Sequence, residues 1–224
     1  MRTGYRSHLW YKLQEAGIPA NFVGSQVAGQ SVEPAFDADN EGHPDWTSYD
    51  ISNSVYRFLS ANHADTVLLH IGTNDRSSSV AGVNAILDDI DQYETDSGRS
   101  VRVLVAMIIP RTGVANVTID NFNGNIYNLV NRRINDGDML TLVDMYRGAG
   151  LVSSDYSDIT HPNDSGYQKM ATVWFNALTE PYDVNLHRFA RSIIPSGNIR
   201  SLSVDEVGKT IDIISQVPNN GIQF

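Results

Sequence analysis

Two neighbouring side chains near the end of the sequence could act together in acyl transfer. Asp158 and His161 lie three residues apart, just before a helical pattern that begins at Asp164. An aspartate that orients a histidine supplies two of the three groups in a nucleophile–base–orienter set. Because Pro162 prevents a regular helix from continuing through this point, the segment is predicted to be a loop that brings the pair together.

A second segment could donate a hydrogen bond to a developing negative charge. Residues 67–75 have the pattern of a buried strand followed by a turn, which places Asn74 beyond the C-terminal end of that strand. An asparagine amide in this position can stabilise an oxyanion, and losing such a donor costs about 3 kcal/mol. The alternative is an asparagine that satisfies the backbone of the turn. Asp75 is interpreted as an acceptor for backbone groups, and His70 as a core histidine with its hydrogen bonds satisfied.

Together these segments resemble the SGNH hydrolases, also called GDSL esterases, from about residue 4 to residue 181. The matching residues are Gly72, Asn74, Asp75, Asp158 and His161. The resemblance implies that Asp158 and His161 are the acid and base of a catalytic triad, and that Asn74 is an oxyanion-hole donor. It also implies an ester as the substrate and no cofactor.

Three further segments resemble carbohydrate esterase family three and its neighbours, which act on acetylated polysaccharides. They are Gly4–Arg6, Phe22–Ser25 and Glu41–Trp46. His43, Trp46 and Gly72 are therefore candidates for lining a substrate cleft. For His43 and Trp46 the alternative is packing within the loop.

The chain departs from the family pattern at two positions. The family's nucleophilic serine lies in a Gly-Asp-Ser segment after the first strand, and this chain begins three residues before Gly4, so that strand and serine are expected to be missing. A glycine that donates its backbone N–H to the oxyanion is replaced here by Asp45. The Asp45 N–H can still donate, but a carboxylate within about 6 Å would oppose the developing charge. Either Asp45 turns outward, or the oxyanion hole is weaker than in the family.

The remaining pattern predicts strands that alternate with helices. Strands are predicted over 20–24, 66–71, 101–109 and 139–143, and helices over 5–16, 47–61, 80–95, 119–134 and 164–178. Strands that are apolar throughout indicate a mostly parallel sheet with helices on both faces, which is a flavodoxin-like three-layer α/β/α fold. Ligands bind such sheets beyond the carboxyl ends of the strands, where Asn74 falls.

The composition changes after Pro181, which divides the chain into an SGNH hydrolase-like domain (1–181) and a C-terminal extension (182–224). The missing family strand would lie between the strands at 20–24 and 66–71, and each orphaned backbone group there costs about 1 to 3 kcal/mol. We predict that Thr210–Ser215 fills this gap, from its own chain or from a second copy by strand exchange in a homodimer. A parallel strand would make Ser215 a candidate substitute nucleophile. Alternatively the extension wraps the surface.

Composition excludes several other classes of protein. The 224 residues contain no cysteine and carry a net charge of −10, which argues against disulfides, thiolate chemistry, nucleic acid and anionic membranes. Residues 37–42 begin like a calcium loop, but the twelfth position is Ser48 where a bidentate glutamate is needed, so no metal is predicted. Secretion is favoured by the resemblance alone.

The sequence therefore predicts a carboxylic ester hydrolase for acetyl or short-acyl esters, including those of carbohydrates. The rival prediction is a non-catalytic SGNH-like remnant or a carbohydrate-binding module that keeps the cleft.

Overall fold

The computed structural model describes residues 3–179 and 211–212. Its helices are α1 (Arg6–Glu15), α2 (Ser48–Ala61), α3 (Ala81–Ser97), α4 (Val117–Asp136), α5 (Met145–Gly148) and α6 (Asp164–Thr179), with a 3-10 turn at Ser153–Asp155. Its strands are β1 (Phe22–Val23), β2 (Gln26–Val27), β3 (Asp39–Asn40), β4 (Thr66–Leu69), β5 (Arg102–Ala106), β6 (Leu140–Val143) and β7 (Ile211–Asp212).

Five strands form one parallel sheet in the order β1-β7-β4-β5-β6. Successive residues of its central strand β4 face opposite cores, because side chains alternate across a strand. Val67 and Leu69 pack with α2, α3 and α4, whereas Leu68 packs with α1, α5 and α6. The predicted three-layer α/β/α fold is confirmed.

The helix ends follow local rules of capping. Thr47 caps α2 by accepting a hydrogen bond from the Asp50 N–H, while the Asp50 carboxylate accepts one from the Thr47 N–H. This reciprocal arrangement satisfies two backbone donors that a helix start leaves without partners. Gly98 ends α3 with a φ of 69°, a left-handed conformation that glycine adopts without steric cost. None of the described helices combines the length and apolar character needed to cross a bilayer.

The segment between residues 26 and 44 is more ordered than its polar sequence suggested. The sequence pattern predicts no helix or strand there, but β2 and β3 pair in an antiparallel ladder. Side chains rather than apolar periodicity hold it: Arg6 donates to the carbonyl oxygens of Ala28 and Ala38, both at 3.0 Å. Helix α5 was also absent from the predicted pattern, because a single helical turn is too short to show a 3.6-residue period.

Two residues of the tail lie in the gap for which a filling strand was predicted. Ile211 pairs with both Phe22 and Thr66, so β7 joins β1 to β4. Ser215 lies outside the described residues, as does the rest of the predicted segment. Strand exchange between two copies remains a prediction.

Candidate active site

A loop between the 3-10 turn and α6 carries Asp158 and His161. Asp155, at the start of this loop, accepts hydrogen bonds from Val152 N at 2.8 Å, Ser165 Oγ at 2.8 Å and Lys169 Nζ at 2.6 Å. The Lys169 ammonium, with the two neutral donors, lowers the pKa of Asp155 to about 2. Asp155 thereby fastens the loop to the first turns of α6.

Within this loop the Asp158 carboxylate holds both the backbone and the ring of His161. Asp158 Oδ2 lies 2.5 Å from His161 Nδ1, slightly closer than usual hydrogen-bond lengths. Asp158 Oδ1 accepts from the N–H groups of Thr160 at 2.7 Å and of His161 at 2.8 Å. Partial burial would raise the pKa of Asp158, but these hydrogen bonds outweigh it and hold that pKa below its usual value. Asp158 is therefore an ionised acceptor that fixes the tautomer with a proton on Nδ1.

The opposite ring nitrogen of His161 is the one that could exchange a proton with a substrate or nucleophile. His161 Nε2 has no hydrogen-bond partner among residues 3–179, and the side chain is 16% exposed. With the proton on Nδ1, Nε2 carries a lone pair and can act as a general base.

Contacts with the chain after β5 locate this loop at the carboxyl edge of the sheet. The Thr112 N–H donates to the Ile159 carbonyl at 3.0 Å, and the Tyr156 hydroxyl donates to the Pro110 carbonyl at 2.6 Å. Burial raises the pKa of Tyr156 to about 12, so its hydroxyl remains a donor. The edge where β5 ends is where ligands bind in parallel α/β sheets.

Asn74 follows β4 at the same edge of the sheet. Its Nδ2 donates one N–H to the Trp46 carbonyl at 3.2 Å. An amide carries two N–H groups, so the second can point to a ligand while the first fixes the side chain. Asn74 thus hydrogen-bonds the backbone of the loop that contains Trp46, and not that of its own turn as the alternative prediction had it; its role as an oxyanion donor stays a prediction.

The residues on either side of Asn74 shape its turn. Asp75 accepts hydrogen bonds from the backbone N–H of Ser48 at 2.8 Å and from its hydroxyl at 2.5 Å, which confirms the prediction of an acceptor for backbone groups. Gly72 is buried with a φ of 121°, and a Cβ there would lie 2.2 Å from the Phe122 ring. Glycine is therefore required in the turn that aims Asn74.

Asp45 occupies a backbone conformation that suits glycine. Its φ is 66°, in the left-handed region, where aspartate is tolerated better than most residues with a side chain. The residue is exposed. Of the two expectations, exposure favours a carboxylate that turns outward and not one that weakens the oxyanion hole. Its N–H stays a candidate second donor.

His43 and Trp46 pack on each other and extend an aromatic cluster. Their ring centroids are 4.1 Å apart at 20°, and His43 also stacks on Phe58 at 4.9 Å. Both side chains keep partial exposure. Packing within the loop, which was the alternative to lining a cleft, is therefore observed for these two rings, and their place in a substrate cleft stays a prediction.

Sequence reasoning overlooked Glu41 as part of this region. Glu41 is buried and lies 2.5 Å from His43 Nε2. Two signals included it, the acidic pattern of residues 37–42, which resembles a calcium loop, and the Glu41–Trp46 segment of the resemblance, but neither gave Glu41 a role. Among residues 3–179 and 211–212 no group of three or more potential metal-ligating side chains comes together. Instead Asp37 accepts from Phe22 N at 2.8 Å and Glu41 binds His43, so both carboxylates serve internal contacts.

His70 is a core histidine, as predicted, but its polar atoms are not all satisfied. Its Nε2 is buried without a hydrogen-bond partner in the described part of the chain. Burial lowers the pKa of His70 to about 4, so the ring is neutral near pH 7.

No protein family model matches the chain. Over 209 residues it is 26% identical to a multidomain esterase of Ruminococcus flavefaciens; the match covers 78% of this chain and 26% of that protein, so the chain spans about a quarter of that relative. Its fold matches a family 3 carbohydrate esterase of Clostridium thermocellum with a TM-score of 0.69 and 27% identity, over 84% of this chain and 89% of the other. In sequence and fold the chain is therefore similar to carbohydrate esterases of family 3. An acetyl esterase variant with an acetate ion matches with a TM-score of 0.69 and 26% identity, over 83% of this chain and 92% of the other.

The chain shares its α/β/α fold with these carbohydrate esterases.

Proposed function

We propose that the chain hydrolyses acetyl or other short-acyl esters, with acetylated carbohydrates as its substrate class. One observation carries the proposal: Asp158 holds His161 Nδ1 at 2.5 Å and leaves Nε2 open at the carboxyl edge of the sheet. The substrate class is supported by similarity to a carbohydrate esterase, an acetyl esterase and a multidomain esterase.

The proposed reaction transfers the acyl group twice. His161 Nε2 removes the proton of a serine hydroxyl while the serine oxygen attacks the ester carbonyl carbon. The bond from that carbon to the alcohol oxygen then breaks, and His161 returns the proton to the departing alcohol. Water, activated by the same nitrogen, releases the carboxylate and regenerates the serine. Asp158 stabilises the imidazolium that forms in each step.

The negative charge on the carbonyl oxygen needs donors that are in place beforehand. We propose the second N–H of Asn74 and the backbone N–H of Asp45 for this role. Asn74 is supported by its hydrogen bond to Trp46, which fixes the amide before substrate binds. Asp45 is supported by its left-handed backbone, which matches the glycine found there in the family.

For the serine we propose Ser215. It lies outside the described residues, three positions after Asp212, the last described residue of the strand that joins β1 to β4. The support is positional: the family's nucleophile follows the strand in this slot. Peptide mapping after labelling with a fluorophosphonate would identify the reactive serine. Labelling at another serine, or normal turnover by Ser215→Ala, would rule out Ser215.

The rival function is a non-catalytic carbohydrate-binding protein. It is favoured by one observation: no serine in residues 3–179 lies within hydrogen-bond distance of His161 Nε2.

Turnover of para-nitrophenyl acetate and of an acetylated xylo-oligosaccharide by the full chain separates the two functions. The esterase proposal expects turnover that His161→Ala abolishes. Binding of the oligosaccharide without release of acetate would favour the rival.

A further inference from the structure

A second carboxylate–imidazole pair, Glu41 and His43, lies in the same loop as Trp46, whose carbonyl contacts Asn74. Glu41 is 1% exposed, and its Oε1 lies 2.5 Å from His43 Nε2. The other carboxylate oxygen accepts from Ser25 N at 2.7 Å, and the Ser25 hydroxyl donates to Oε1 at 2.7 Å. A buried carboxylate with three donors is fully paired and holds each donor in a fixed direction.

The charge of Glu41 is retained despite its burial. Burial alone would raise the pKa of Glu41, but hydrogen bonds from His43 and Ser25 outweigh this effect and lower the pKa below 4.5. The ionised carboxylate therefore fixes the orientation of the His43 ring, because it requires a proton on the facing Nε2.

A chain of contacts leads from this pair to the candidate oxyanion donor. The His43 ring stacks on Trp46, with centroids 4.1 Å apart, and on Phe58 at 4.9 Å. The Trp46 carbonyl in turn accepts the Asn74 amide at 3.2 Å. Rotation of the His43 ring would remove the surface against which Trp46 rests, and the carbonyl that orients Asn74 would be free to move.

The opposite side of Asn74 has its own anchor. Asp75 is bound to the backbone and hydroxyl of Ser48, at the start of α2. Two contacts therefore hold the turn. Asp75 is held by Ser48 at the start of α2, and Asn74 is held by the Trp46 carbonyl. Of these two contacts, the one to Trp46 is connected to Glu41 through His43.

We propose that Glu41 and His43 are positioning residues for ester hydrolysis, fixing Trp46 and, through its carbonyl, aiming the Asn74 amide at the oxyanion. This role rests on the proposed function, in which Asn74 is the donor. Small misplacements of such a donor lower kcat, because the interaction matters most in the transition state.

The test uses the full chain labelled with isotope-enriched asparagine, and Asn74→Ala assigns the Asn74 side-chain amide signals in its NMR spectrum. The variant is Glu41→Gln, which keeps the size of the side chain but removes the charge and replaces one of the two acceptor oxygens with an N–H donor. Glu94→Gln is the matched control, because Glu94 accepts the Val101 N–H at 2.5 Å near the opposite edge of the sheet.

We expect Glu41→Gln to shift the Asn74 amide signals and to lower kcat about tenfold with KM within about twofold. Glu94→Gln should change neither. If Glu41→Gln does not fold, His43→Phe keeps a ring against Trp46 without the hydrogen bond to Glu41 and should give the same two effects.

Unchanged Asn74 signals in a folded variant would overturn the positioning role, whatever the rate. A rise in KM at constant kcat would also overturn it, since His43 would then contact substrate directly. An inactive wild-type chain would refute the proposed esterase function alone, because the NMR signals still report whether Glu41 orients Asn74.

Discussion

The two carboxylate–imidazole pairs at the carboxyl edge of the sheet have the same closest contact but different surroundings. In each pair the nearest oxygen and nitrogen are 2.5 Å apart. The side chain of Asp158 is 46% exposed and that of His161 16%, whereas Glu41 and His43 are 1% and 12% exposed.

Because the two pairs differ in exposure, the hydrogen bond from carboxylate to imidazole serves a different purpose in each. Asp158 uses its second oxygen on the backbone of its own loop, which orients His161 and leaves Nε2 open. Glu41 also accepts hydrogen bonds from the backbone N–H and the hydroxyl of Ser25, so it connects the loop of residues 41–46 to the segment around Ser25. The first pair is suited to proton transfer and the second to rigidity.

The largest expected effect comes from removing the imidazole that has an open nitrogen. His161→Ala should lower kcat for para-nitrophenyl acetate by at least about 10³-fold, because both proton transfers lose their carrier. The matched control is His63→Ala, because His63 Nε2 also faces a carboxylate, Asp65, at 3.3 Å, but lies just before β4 at the opposite edge. Equal losses in the two variants would contradict the assignment of proton transfer to His161.

Removing the oxyanion donor should have the next largest effect. Asn74→Ala should lower kcat about 10²-fold, in line with the loss of one donor from an oxyanion hole. Steady-state kinetics should show KM nearly unchanged. Asn131→Ala serves as control, because Asn131 donates its amide to the Tyr127 carbonyl on the exposed side of α4. A loss confined to KM would mean that Asn74 binds substrate and not the transition state.

Asp45→Gly should change stability more clearly than rate. Glycine removes the strain of a φ of 66°, so unfolding free energy should rise by about 1 kcal/mol. Because Asp45 is exposed, kcat should stay within about threefold. Arg76→Gly, at a φ of 50°, is the control for strain relief alone. Chemical denaturation and kinetics measure both effects, and a much larger rise in kcat would place the carboxylate near the oxyanion.

The smallest effect concerns stability in acid. The pKa of Glu41 is lowered in the folded chain, so its contribution is present above about 4.5 and is lost as pH falls through the folded value. Glu41→Gln should therefore flatten the fall in Tm between about pH 5 and about pH 3. Asp158→Asn should flatten it less, because solvent screens a half-exposed carboxylate. The reverse order would assign the stabilising role to Asp158.

The sequence predicted the site and the fold best where the relevant residues are close together in the chain. The spacing of Asp158 and His161, with Pro162 after them, predicted a loop in which the two side chains meet, and the hydrogen bond is present. The apolar strands predicted the parallel sheet, and the residues after β4 were correctly expected at its carboxyl edge. Such features depend on a few adjacent residues, so they are readable from the chain.

The roles of Glu41 and the segment around it could not be read in this way. Its acidic pattern indicated a failed calcium loop, yet its partners are Ser25, sixteen positions away, and a ring that stacks on Trp46. Contacts between distant segments depend on how the loops pack, which local periodicity does not encode.

By itself the sequence determined the alternating α/β pattern, the Asp158–His161 pair and the presence of Asn74 after a buried strand. Only the tertiary structure decided that Asn74 donates to the Trp46 carbonyl, that Asp45 is exposed with a left-handed backbone, and that the buried Glu41 contacts Ser25 and His43. The physical reason is burial: a carboxylate becomes a rigid anchor when distant donors surround it and exclude water, and that enclosure exists only after the loops have packed.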